Sequence, residues 1–116
     1  MSVERLRKEN LIDYAAGVRR FCGNNIMYEE FLLKFPQDNS FEQAAEKIAA
    51  KDYEGAFPFI HNLTGLAGNL SMDGLYGYCL NYIGDYREGK IKHLDEYFNA
   101  IKIERAKVLK ALNAKM

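Results

Sequence analysis

Apolar residues recur at helical spacing along most of the chain. In the first segment they stand at positions 11, 14, 15, 18, 21 and 22, the three- and four-residue steps of one helix face. The same spacing returns in each later segment, the last of which runs over about residues 91–113. No segment shows the Val/Ile/Thr-rich alternation that is typical of a β-strand. The pattern therefore predicts an all-helical protein.

Helix-capping and helix-breaking residues separate these segments. Gly23 follows the first helix, Pro36 ends the second, Asp52 is a good N-cap for the fourth, and Gly89 precedes the last. Because the connections are short, consecutive helices are expected to pack antiparallel in one bundle, with the first segment laid against it as a cap. The length, and the lack of linkers and repeats, predict a single domain over residues 1–116.

Pro58 interrupts the helix that Asp52 is predicted to cap. Proline inside a helix lacks a donor and clashes with the carbonyl four residues earlier, at a cost of about 3 kcal/mol. Either the helix bends at Pro58, or it begins there with proline in its first turn. Gly55, about one turn earlier, favours the bend because glycine absorbs backbone distortion.

Charge and cysteine content exclude several classes of protein. Lys and Arg total 16 and Asp and Glu total 16, so the chain lacks the basic excess of a nucleic-acid-binding protein. No apolar run approaches the roughly 18 residues of a membrane span, and the charged N-terminus is not a signal peptide. Cys22 and Cys79 match no metal or redox spacing, which indicates free thiols in a reducing cytoplasm.

His61 is the residue with the clearest chemical potential. At 100° per residue, a wide apolar face centred on Leu63 is predicted to face the core. That face also holds Ala56, Phe59, Ile60, Leu66, Ala67 and Leu70. The opposite face holds His61, Gly65, Gly68 and Met72, flanked by Phe57, Pro58 and Thr64.

The two glycines on this face need a reason, because glycine inside a helix costs about 0.5–1 kcal/mol relative to alanine. Gly65 and Gly68 are expected to allow the backbone of a partner protein to approach His61 closely. An exposed neutral imidazole is a nucleophile and can accept a phosphoryl group on a ring nitrogen. The chain has no P-loop, no kinase glycine loop and no carboxylate cluster for magnesium. A carrier of phosphoryl groups would need none of these and no cofactor of its own, because the metal ion of the partner can neutralise the charge.

The stretch His61-Asn62-Leu63-Thr64-Gly65, followed by Leu66-Ala67-Gly68-Asn69-Leu70, resembles the histidine-containing phosphotransfer (HPt) domain family. The mark of that family is His-x-Leu-Lys-Gly followed by small residues and often an asparagine. Segments upstream, such as Phe31-Leu32-Leu33-Lys34-Phe35, are also similar, and the resemblance covers roughly residues 10–90. It implies a four-helix bundle, a phosphohistidine at His61, and receiver domains with bound magnesium as partners.

The resemblance also implies a docking face and a pathway. The docking face would comprise Phe57, Pro58, Thr64, Gly65, Gly68, Asn69 and Met72. The protein would be a cytoplasmic monomer of a two-component phosphorelay, binding receiver domains and a hybrid sensor kinase, but neither nucleic acid nor membrane. The sequence departs from the family at Thr64, where a basic residue is usual, and at Ser71, where glycine is common.

Other interpretations remain open at this point. Because Thr64 removes a positive charge, the bundle is alternatively an interaction module that docks receiver domains or kinases with weakened or no phosphotransfer. In a purely structural bundle, His61 would be an ordinary surface histidine without a chemical role. A zinc site built from Cys22, Cys79, His61 and His93 has suitable ligand types but no paired spacing.

Overall fold

The computed structural model describes residues 2–112, and within that range the chain forms α-helices, one 3-10 helix and no β-strand. This confirms the all-helical prediction. The α-helices are α1 (Ser2–Lys8), α2 (Tyr14–Arg20), α3 (Asn25–Lys34), α4 (Ser40–Ala49), α5 (Tyr53–Asn69), α6 (Asp73–Arg87) and α7 (Leu94–Ala111). The 3-10 helix, Phe35–Gln37, follows α3 directly. Residue 113, where the last helix was predicted to end, lies outside the described residues.

Local signals in the sequence account for most of these boundaries. The Asp52 carboxylate accepts a hydrogen bond of 2.9 Å from the Gly55 N–H, so it caps α5 as predicted. Gly23 and Gly89 follow α2 and α6 with φ angles of 83° and 74°, values that glycine adopts without strain. Since α5 begins at Tyr53, Pro58 lies inside the helix, and the alternative of a helix beginning at this proline is wrong.

The last four helices share one apolar core. α4 packs on α5, α5 on α6, and α6 on α7. α7 also returns to α4, where Phe41 stacks on Phe98 at a centroid distance of 4.9 Å and Arg105 pairs with Glu42 at 2.9 Å. Largest among the fully buried side chains of these helices are Ile60, Leu63, Leu75, Tyr82, Leu94, Ile101 and Val108.

Tyr28 joins the N-terminal helices to α5. Its side chain is fully buried, and its hydroxyl donates a 2.7 Å hydrogen bond to the Leu70 carbonyl at the end of α5. Gly17 of α2 faces the same ring so closely that a Cβ at this position would lie 2.0 Å from the Tyr28 Cζ. The Asp13 N–H also donates to the Ser71 carbonyl at 2.9 Å. The position of the N-terminal helices therefore depends on the close contact between Gly17 and the Tyr28 ring.

We predict that Gly17→Ala lowers the free energy of unfolding by about 1–3 kcal/mol, because the added methyl group forces the Tyr28 ring to move. Gly65→Ala is the matched control, since a Cβ at Gly65 has no neighbouring atom within 4 Å. That variant should gain about 0.5–1 kcal/mol from helix propensity. Urea denaturation followed by circular dichroism measures both. Equal gains in the two variants would contradict the described Gly17–Tyr28 contact.

Candidate functional site

His61 lies on an exposed strip of α5, as the sequence predicted. The other exposed positions of this strip are Glu54, Pro58, Asn62, Gly65 and Asn69. All six positions fall on one side of the helix at 100° per residue. The opposite side is buried, with Ile60, Leu63 and Ala67 at 1% exposure or less. The imidazole is therefore open to molecules in solution while its helix is held by the core.

A cavity of about 310 Å³ lies beside the imidazole. Its lining residues are Asp38, His61, Asn62, Gly65, Leu66 and Asn69. Asp38 is the acidic member of this set, and none of the lining residues is a lysine or an arginine. α5 itself contains no lysine or arginine at all. The lining of this cavity thus contains a negative charge and no fixed positive one.

A short hydrogen-bond chain holds the Asp38 side of the cavity in place. The Asn62 side-chain amide donates to the Ser40 hydroxyl at 2.6 Å, and the Ser40 N–H donates to the Asp38 carboxylate at 2.9 Å. Ser40 is buried, so these hydrogen bonds lie partly beneath the surface. It links the residue after His61 to the first turn of α4.

The other side of His61 is aromatic. The half-buried Phe57 ring lies one turn earlier, 5.9 Å from the imidazole centroid and tilted by 38°. Phe57 also stacks on Tyr86 of α6 at 4.8 Å. The Arg87 guanidinium carbon lies 5.6 Å from the centre of the Phe57 ring. Phe57 therefore connects His61 to the C-terminal end of α6.

The two glycines near His61 have different surroundings. Gly65 is exposed, and a Cβ there would have no neighbour within 4 Å. Gly68 is half-buried, and a Cβ there would lie 3.0 Å from the Tyr76 ring of α6. Only Gly65 of the pair leaves open space beside the imidazole. Gly68 instead provides room for the packing of α6 on α5.

Thr64 does not lie on the exposed face, so its predicted place in the docking surface is wrong. The residue is 7% exposed, and its hydroxyl donates to the Ile60 carbonyl at 2.7 Å. The prediction centred the core face on Leu63, whereas the packing of α6 shifts the buried arc toward Thr64. Thr64 consequently faces the buried Cys79 of α6 rather than a ligand at His61.

Met72 was also predicted to be exposed, and this too is wrong, because the residue is fully buried. The prediction continued the helical periodicity of α5 beyond its end at Asn69. Ser71 has a φ angle of 55°, which turns the chain and brings Met72 back into the core. Position 71 is thus in the left-handed region that glycine favours, although a serine stands there.

The remaining residues with ligand chemistry lie apart. His93 is exposed and its Nδ1 is 3.2 Å from the Glu96 carboxylate. Cys22 is an exposed free thiol, and Cys79 is a buried one whose pKa is raised to about 11 by burial, with a smaller opposing effect from the Thr64 hydroxyl. Across residues 2–112, no three or more His, Cys, Asp or Glu residues come together in a way that could hold a metal ion. Cys22, Cys79, His61 and His93 therefore do not form a zinc site of three or more ligands.

Asp38 lines the His61 cavity, while Tyr86 and Arg87 contact the Phe57 ring beside His61, and sequence reasoning missed all three. Asp38 follows the 3-10 helix, while the other two come from α6. No local pattern relates these positions to His61, since helix packing determines their proximity. For Asp38, the sequence did contain a signal for the turn that precedes α4. An aspartate two residues before a serine that begins a helix is typical of such a turn.

None of the helices between residues 2 and 112 has the length and apolar character needed to cross a bilayer.

No protein-family model, curated protein or solved structure matches this chain. The resemblance to the phosphotransfer family accordingly rests on the sequence segments quoted above.

We predict that one thiol, that of Cys22, reacts with Ellman's reagent in the native protein at pH 8. The thiolate is the reactive form, and a pKa of about 11 keeps the buried Cys79 protonated at that pH. Cys22→Ser should therefore abolish the native reaction, while unfolding in urea should release one thiol in that variant and two in the parent. Rapid reaction of two thiols in the folded parent would contradict the burial of Cys79.

Proposed function

We propose that this protein is a histidine phosphotransfer protein that carries a phosphoryl group on His61 between receiver-domain aspartates. In the first transfer, a nitrogen of the imidazole attacks the phosphorus of an aspartyl phosphate. A P–N bond forms as the P–O bond to the aspartate breaks, and the reverse step delivers the group to a second receiver domain. The observation that supports this proposal is an exposed imidazole one helical turn from Gly65, where an added Cβ would meet no atom within 4 Å.

The proposal includes the fold that the resemblance implies. We propose that α4 to α7 are the antiparallel four-helix bundle of the family, capped by the N-terminal helices. The sequential packing of these helices and the Phe41–Phe98 stack between α4 and α7 support this. The protein would act as a cytoplasmic monomer without a cofactor of its own, and magnesium bound to the receiver domain would neutralise charge during transfer.

The docking face is smaller than the sequence suggested. Its remaining members are Phe57, Pro58, Gly65 and Asn69, which lie around His61 on or beside the exposed strip. Thr64 and Met72 face the core, and Gly68 is covered by Tyr76. A receiver domain would therefore approach over Gly65, where open space adjoins the imidazole.

The alternative is an HPt-like interaction module in which phosphotransfer is weakened or lost. The Asp38 carboxylate in the His61 cavity, and the absence of basic residues from α5, favour this second candidate. A negative charge beside the imidazole opposes the addition of a phosphoryl group. Binding of receiver domains without transfer would distinguish this alternative from the carrier.

We predict that His61→Gln abolishes acid-labile labelling by a receiver domain that has been phosphorylated with acetyl phosphate and magnesium. His93→Gln is the matched control, because His93 is also exposed but lies beside Glu96 at the start of α7. It should label as the parent does, and both variants should keep the helical circular dichroism. Full labelling of His61→Gln would exclude His61 as the acceptor.

We predict that Gly65→Gln separates docking from chemistry. A glutamine side chain would occupy the open space beside His61, and a displacement of about 1 Å can slow an in-line reaction on the order of 10²-fold. Transfer from the receiver domain should fall at least tenfold, while labelling by the small donor phosphoramidate should persist.

Gly84→Gln makes the same change on α6, also where a Cβ meets no atom within 4 Å, and should leave transfer unaffected. Both variants should melt at or above the parental temperature, because each replaces a helical glycine. Parental transfer rates in Gly65→Gln would place the docking face elsewhere.

A further inference from the structure

A phosphoryl group on His61 would create a charge problem that its own helix cannot solve. Such a group carries about 1.5–2 negative charges at pH 7. α5 supplies no lysine or arginine, and Asp38 adds another negative charge to the cavity. Thr64, at the position where the family has a basic residue, has its hydroxyl committed to the Ile60 carbonyl. Any cation within this chain must therefore come from another helix.

Arg87, the last residue of α6, is placed to supply that cation. Its guanidinium carbon and the His61 imidazole lie 5.6 Å and 5.9 Å from the centre of the same Phe57 ring. The residue is exposed, and no carboxylate of residues 2–112 forms an ion pair with it. Glu88, its neighbour in the chain, pairs with Lys90 at 2.8 Å instead.

The contact between Arg87 and the Phe57 ring is one that Arg87 can exchange for a contact with a phosphoryl group. A guanidinium over an aromatic ring at an exposed site is held weakly, so it can leave the ring without a loss of folding. The guanidinium would reach a phosphoryl group on His61 by rotation about the side-chain torsions of Arg87. A guanidinium has a planar fork of N–H donors that matches two phosphate oxygens, and such charge-assisted bonds are stronger than neutral ones.

We propose that Arg87 is the phosphoryl-binding residue of this site, moving from Phe57 to the phosphoryl group when His61 is modified. This proposal rests on the proposed function, because it requires a phosphohistidine at His61. The positive charge that Thr64 lacks is thereby supplied from α6. Phe57 acquires a specific role, since it holds the guanidinium near the imidazole in the unmodified protein.

The test uses the full chain and phosphoramidate, so that no receiver domain is needed. The P–N bond of phosphoramidate breaks, ammonia leaves, and a new P–N bond forms to the His61 imidazole. Phosphorus NMR then follows the phosphohistidine signal as a function of pH, which yields the pKa of the attached phosphoryl group. A nearby cation stabilises the dianion and lowers this pKa.

Arg87→Gln should raise that pKa by about 0.5, which corresponds to roughly threefold weaker stabilisation of the dianion. Arg87→Lys should lie between the parent and Arg87→Gln, because it keeps the charge but loses the planar fork. Arg7→Gln is the matched control, as Arg7 also rests over an aromatic ring, 4.1 Å from the centre of Tyr14, but belongs to α1. It should leave the phosphoryl pKa unchanged, and all three variants should melt within a few degrees of the parent.

The possible results separate this proposal from the proposed function. If phosphoramidate does not label His61 in the parent, the proposed function itself is wrong. If the parent is labelled but Arg87→Gln and Arg7→Gln both keep the parental phosphoryl pKa, the phosphotransfer function stands and the role of Arg87 is overturned. A rise confined to the Arg87 variants, with unchanged melting, supports phosphoryl binding over a merely structural contact.

Discussion

The burial of α5 between its neighbours is the constraint on which the rest of the structure depends. α4 and α6 both pack on this helix, and the Tyr28 hydroxyl binds the carbonyl of Leu70 at its end. The exposed residues of α5 all lie on one side of the helix, and His61 is among them. Because the opposite side is tightly packed, the backbone that carries His61 has a fixed position, while its imidazole is exposed. A group that is exchanged between proteins requires this combination of access and fixed position.

The same packing explains why the helix tolerates its unfavourable residues. Pro58, Gly65 and Gly68 all lie inside α5, where each lowers the intrinsic tendency to form a helix. Burial of Ile60, Leu63 and Ala67 supplies the compensating hydrophobic stabilisation, at about 25 cal/mol per Å² of apolar surface. Tertiary contacts therefore allow α5 to contain Gly65, which leaves space beside the imidazole.

The electrostatics of the site depend on side chains outside α5. Asp38 lines the cavity beside His61, and Arg87 of α6 rests on the Phe57 ring. The charge that a phosphoryl group would meet consequently depends on side chains from α6 and the segment before α4. Comparison of residues along α5 alone, including the threonine at position 64, does not describe this environment.

The sequence by itself determined the helical class, the capping of α5 by Asp52, and the exposure of His61. Each of these depends on local periodicity or on hydrogen bonds between residues three apart, which can be recognised in the sequence without knowledge of the fold. The tertiary structure alone decided that Thr64 and Met72 are buried. For Thr64, the packing of α6 rotates the buried arc of α5, and for Met72 the positive φ at Ser71 ends the periodicity that placed it at the surface. The fold likewise decided that Asp38 lines the His61 cavity and that Arg87 rests on Phe57, because helix packing brings together residues that are far apart in the chain.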